Sequence, residues 1–150
     1  MFIKIILTSK MHQIFKTSFD SNKFDIILLI TRVLIASFMI VHAVPKFNLL
    51  FVEGDIQFAD PIGIGMGPSL FLAVFSELIC SIFILIGLGT RVAVIPLIAT
   101  MLVAAFVIHL NDPFSKQELS LHYLVTYVML FVTGSGKYSV DHILFCLQLK

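Results

Sequence analysis

The stretch LFLAVFSELICSIFILIGLGTR, residues 70–91, decides the fold. Its residues 70–89 are predominantly apolar, carry one acid, Glu77, and lead into Thr90 and Arg91 through two glycines, Gly87 and Gly89. At about 1.5 Å rise per residue, a helix of that length covers ~30 Å, the thickness of a bilayer's hydrocarbon core. The stretch therefore reads as a membrane span with a carboxylate inside it. That placement costs about 2.5–3.5 kcal/mol on insertion scales, so Glu77 is expected to face protein or water and to have a partner. Ala73, Ser76, Cys80 and Ser81 lie within a turn of it. Small residues let helices approach closely in lipid, so this face, and Glu77 with it, is expected to turn inward.

Composition extends the reading to the whole chain. Hydrophobic residues make up 59% of the 150 and charged residues 13%, with a mean hydropathy of +1.04. Soluble domains run at about 45–50% apolar and about 25% charged, so this is an integral membrane protein with room for one domain of about four spans. A net charge of +1 supplies no clustered basic face for nucleic acid. Cys80 and Cys146 form neither a CxxC nor a metal-ligand spacing, so neither a structural disulfide nor a cysteine-bound metal is expected.

Taken in order, residues 1–25 form a basic tail with Lys4, Lys10, Lys16 and Lys23. The apolar run at 2–7 is too short to span and no small-residue cleavage site follows, which argues against a cleaved leader; Met1 and Met11 are alternative starts. Spans are expected at about 26–44, 70–89, 92–110 and 119–133, followed by a short tail at 134–150. Arg32 falls roughly 9 Å into the first span, within snorkelling distance of the headgroups. His42 and Lys46 share a helical face at its far end, and Pro45 disfavours continuing the helix. The loop at 47–69 holds Glu53, Asp55, Asp60 and the run Pro61-Ile62-Gly63-Ile64-Gly65-Met66-Gly67-Pro68, whose glycines and prolines predict irregular, re-entrant or interfacial backbone. Gly63, Gly65 and Gly67 follow no strand, so they make no dinucleotide fingerprint.

Lysine and arginine set the orientation. Both tails and the 87–91 turn hold Lys4, Lys10, Lys16, Lys23, Arg91, Lys137 and Lys150, whereas the other side has Lys46 and Lys116 among five acids. The positive-inside rule then gives an all-α integral membrane four-helix bundle with both termini cytoplasmic. This topology sorts the polar residues into two layers. His42, Lys46, Glu77, His109, Glu118 and His122 fall in the outer half as a candidate polar site; Arg32, Arg91 and Asp141 fall on the cytoplasmic side. Histidines near a membrane interface are unremarkable, and these lack ligand spacing, so no metal is expected. For Glu77, a structural pair with Lys46 or an Arg and a functional role both stay open.

In this order the features resemble the DoxX family of small four-span bacterial membrane proteins. The resemblance rests on Arg32, His42-Ala43-Val44-Pro45-Lys46-Phe47, Pro61-Ile62-Gly63, Glu77, Gly87-Leu88-Gly89-Thr90-Arg91 and the closing run from Gly134 to Asp141. Ala43 stands where the family usually has Gly. The family takes its name from a subunit of a thiosulfate:quinone oxidoreductase. The resemblance thus implies a bacterial inner-membrane protein and a membrane subunit of a quinone-linked redox or sulfur/oxidative-stress assembly, with quinone as the cofactor it admits. Glu77 and His42 would carry protons, and Lys46 and Arg32 would be charge partners. No haem-attachment motif, cluster cysteines or dinucleotide loop is present, so electrons would come from a partner subunit. The alternatives are a scaffold for a partner enzyme and a proton or small-solute transporter, the latter needing a homo-oligomer.

Overall fold

The computed structural model describes residues 20–148; the calls on the basic tail before Asp20 and on the alternative starts lie outside them. Among the described residues five helices follow one another: α1 (Ser21–Leu49), α2 (Met66–Ile86), α3 (Thr90–Ile108), α4 (Phe114–Thr133) and α5 (Val140–Gln148). Among the described residues there is no strand. Helices α1, α2 and α3 are long and apolar enough to cross a membrane. Helix α4 is not among them, because Ser115, Lys116, Gln117, Glu118, Ser120 and His122 dilute its first turns.

The helix ends differ from those of the expected spans. Asp20 caps α1 by accepting from the N–H groups of Asn22 and Lys23, at 3.1 and 3.3 Å, so the helix begins before residue 26. At the other end α1 runs through Pro45 rather than stopping at 44. A proline so near the helix end costs one backbone hydrogen bond, to a carbonyl on the exposed Val41 turn, and Lys46 stays in register with the helix interior. Helix α2 starts before residue 70, with Pro68 in the first turn where its missing N–H is harmless. It stops at Gly87, not 89, in a left-handed residue (φ 72°). Leu88 N–H bonds the carbonyl of Phe83 and Gly87 N–H that of Ile84, which is the Schellman closure. Helix α4 begins at Phe114, ahead of the span expected at 119–133, so Glu118 is helical, and residues 140–148 of the expected short tail form a helix.

All four long helices contribute to one core. Leu28, Ala36 and Met39 from α1 meet Cys80 and Ile84 from α2, Val94, Leu97 and Met101 from α3, and Tyr127 and Leu130 from α4. Ala43 is also fully buried, so the missing glycine still leaves the helices in close contact. Much of the remaining apolar surface points outward, Val41 and Val92 being 72% exposed. Apolar side chains on both faces of a helix belong to a protein solvated by lipid.

Candidate functional site

Glu77 is 1% exposed, and both of its carboxylate oxygens accept from Lys46 Nζ, at 2.6 and 2.7 Å. The pair joins α1 to α2 and identifies the partner that the sequence demanded. Ser76, Cys80 and Ser81 are buried around it, as the small-residue face predicted. Glu77 lies on a π-helical segment, Phe75–Cys80, and α3 ends in a second one, Ala104–Ile108. Such segments widen the helix locally, and they concentrate at functional sites. The hydroxyls of Ser76 and Thr100 are 2.9 Å apart and tie the first π segment to α3; Thr100 also donates to the carbonyl of Pro96.

A cavity of about 380 Å³ opens between these segments. Glu77, Lys46, Ser76 and Thr100 supply its polar side, and Ala99 and Ala104 part of its apolar wall. Phe58, Pro61 and Ile62 cover it from the loop that precedes α2. Asp60 fixes that loop by accepting from the N–H groups of Ile64 and Gly65, at 3.1 and 2.8 Å, and from Ser69 Oγ at 2.7 Å. The Ser69 hydroxyl first, then these amides, hold the Asp60 carboxyl below the usual carboxylate range. A depressed acid stabilises the fold above its unfolded value, and the contribution is lost as pH falls through the folded value. Wild-type stability should therefore exceed that of Asp60→Asn at neutral pH. The gap in thermal unfolding between the two should begin to narrow as pH falls below about 4, the unfolded value, and close once pH is below the folded value; a gap that does not narrow would refute the role given to the carboxylate.

The expected convergence of six outer polar groups is only partly realised. Lys46 and Glu77 meet. His109 instead pairs with Asp112 at 2.8 Å in the turn beyond α3, where the imidazole, and then Lys116, hold the Asp112 carboxyl below the usual carboxylate range. His42, Glu118 and His122 are exposed and make no side-chain hydrogen bond or ion pair among the described residues. The reason is rotational, since each sits on the outer face of its helix. Among the described residues, no three His, Cys, Asp or Glu side chains gather as metal ligands. Thr100 and Phe58 escaped the sequence reading, and Pro61 and Ile62 entered it only as part of a family motif, because apolar and hydroxyl side chains carry no spacing signal. Tyr123 and Tyr127 are buried and stacked with ring centroids 5.9 Å apart.

Arg32 corrects a second expectation. It neither snorkels nor approaches Glu77, because fourteen helical residues place it about 21 Å along α1 from Lys46. It is wholly buried, donating from Nη2 to the carbonyl of Tyr138 at 2.6 Å and from Nη1 to that of Ile84 at 3.5 Å. Asp141, whose charge acts on Arg32, accepts from the N–H groups of Gly89 and Thr90 at 2.7 and 3.2 Å. Lys137 N–H bonds Asp25, so the 134–141 segment is pinned to α1 and to the turn between α2 and α3. Arg91 stays exposed, with Nη2 donating to the carbonyl of Val132 at 3.2 Å. The cytoplasmic-side group of the sequence reading is therefore a structural knot of Arg32 and Asp141 with Arg91 beside it.

Neither the search of curated proteins nor that of solved structures found a match. The family model described as DoxX matches residues 27–110, more than half of the chain, and takes in α2 and α3, with their π segments, and most of α1, with Arg32, Lys46 and Glu77. With its apolar helices and a model match of this extent, the chain is an integral membrane protein that belongs to the DoxX family.

Proposed function

We propose that this protein is a four-span subunit of a bacterial inner membrane, both termini cytoplasmic, that holds a quinone for a redox or sulfur/oxidative-stress assembly. The observation that carries the reading is the Lys46–Glu77 pair in the wall of an apolar cavity built from two π segments. The cavity's volume lies within the ~300–1,000 Å³ usual for small-molecule sites, and its few polar groups sit together at one side. That division suits a flat ring with an apolar tail and a polar edge.

A bound quinone supplies coupled two-electron, two-proton chemistry. Lys46 Nζ is placed to donate to a carbonyl oxygen and to steady negative charge there. Glu77 Oε1 and Oε2 hold or release a proton beside it, and the apolar walls keep water from the polar edge. Electrons come from a partner subunit, since the chain has no haem, cluster or dinucleotide motif of its own.

The test compares bound quinone and quinone-dependent turnover of the purified protein, with its co-purifying partners restored, against a Glu77→Gln variant matched for helicity. Wild type should retain quinone, and the variant should lose turnover by about 10²-fold, the usual scale for removing a positioned acid-base group. Absence of both quinone and turnover in wild type would overturn the reading.

A further inference from the structure

Beyond the last turn of α2 lies a second cavity of about 380 Å³, bounded by the start of α3, the 134–136 turn and α5. Because α3 enters its apolar stretch at Thr90, this cavity sits at the level where the hydrocarbon core of a bilayer meets the headgroups. Two opposite charges line it. Arg91 spends one of its five donors on the carbonyl of Val132 and leaves the others exposed. Gly134 lies directly beside that guanidinium, since a Cβ there would be in van der Waals contact with Arg91 Nε at 3.4 Å. Asp141 lines the same cavity with a carboxylate that takes one backbone N–H on each oxygen and so keeps accepting capacity.

Thr90 also lines it, with a hydroxyl that is buried and has no hydrogen-bond partner among the described residues. Phe145, 58% exposed on α5, and Val92, 72% exposed on α3, give the cavity an apolar flank toward lipid. None of the α5 residues is buried, although Ile143, Leu144, Phe145 and Leu147 are all apolar.

A ligand that matches this surface carries an anion for Arg91, a hydrogen-bonding cation for Asp141, and an acyl tail for the flank. We propose that the cavity binds the headgroup of a zwitterionic phospholipid with a primary ammonium, its phosphate on Arg91 and its ammonium on Asp141. A free phosphate fits less well because Asp141 repels it. An anionic lipid lacks the cation, and a choline headgroup has no N–H to donate. This site is independent of the cavity beside Glu77.

The test uses the full chain reconstituted in an equal mixture of phosphatidylethanolamine, phosphatidylcholine and phosphatidylglycerol, then stripped with detergent, with retained lipid counted by native mass spectrometry. Phosphatidylethanolamine should be retained about tenfold over either competitor, the discrimination expected of one charge-assisted hydrogen bond. Arg91→Gln should abolish retention while helicity and the melting profile stay unchanged, since Arg91 is exposed and makes a single protein hydrogen bond. Equal retention of the three lipids would overturn the proposal, leaving only an ordinary lipid annulus. So would full retention in Arg91→Gln, or displacement of the lipid by inorganic phosphate, which would make this a free-anion site.

Discussion

Replacing Lys46 with Met should destabilise the protein by about 3 kcal/mol, whereas Glu77→Gln should cost clearly less. The asymmetry comes from burial. The Glu77 side chain is 2% exposed, so without Lys46 its charge is stranded in an apolar interior; Lys46 keeps 25% of its side chain exposed and can turn to water when Glu77 is neutral. Breaking a buried pair from one side costs about 3–5 kcal/mol, and the exposure of Lys46 puts this pair at the low end. The double variant Lys46→Met with Glu77→Gln should recover most of the loss, because no unpaired charge is left. Unfolding in a graded denaturing detergent would measure all three. Equal losses in the two single variants would show that the pair is screened by water and that the cavity beside it is wet.

The second large effect is expected at Gly87, where Gly87→Ala should cost on the order of 3–5 kcal/mol or prevent folding. Two independent penalties combine. The residue sits at φ 72°, in the left-handed region, which costs an alanine about 1 kcal/mol. Its Cβ would also lie 1.8 Å from Arg32 Nη1 and 2.6 Å from Ser139 Cβ. Arg32 cannot move aside cheaply, because it is buried and held by the carbonyls of Tyr138 and Ile84. Gly89 offers the control: it too is left-handed, at φ 57°, but a Cβ there meets nothing within 4 Å. Gly89→Ala should therefore show only the conformational penalty. If yield and melting are equally affected at both positions, close packing against Arg32 is not what requires Gly87.

How much of this was legible differs from residue to residue. Glu77 could be singled out at once, because one acid in a run of apolar residues violates the solvent that the run implies. Its inward direction was readable from Ala73, Ser76, Cys80 and Ser81, and Lys46 was among the candidate partners. Helical rise already sets Arg32 and Arg91 at the other end of the spans from Glu77, but that Lys46 closes on it required the packing of α1 against α2. His42, Glu118 and His122 were grouped with Glu77 by depth alone. Depth follows from counting residues along a helix, but the direction of a side chain follows from helix rotation, and those three face outward. Arg32 misled for a related reason. An arginine near a helix end snorkels when nothing covers it, and the cover here is a carbonyl from Tyr138, far along the chain.

The sequence by itself determined the solvent of this protein, the helical class and the need of Glu77 for a partner, because hydropathy, helical rise and the cost of a buried charge act on local stretches of chain. Only the tertiary structure decided that Lys46 closes on Glu77, that two π segments open a cavity beside it, and that Arg32 and Asp141 lock the opposite end. Those outcomes depend on how helices rotate and pack against one another, and contacts between residues so far apart in the chain leave no periodicity for a sequence to display.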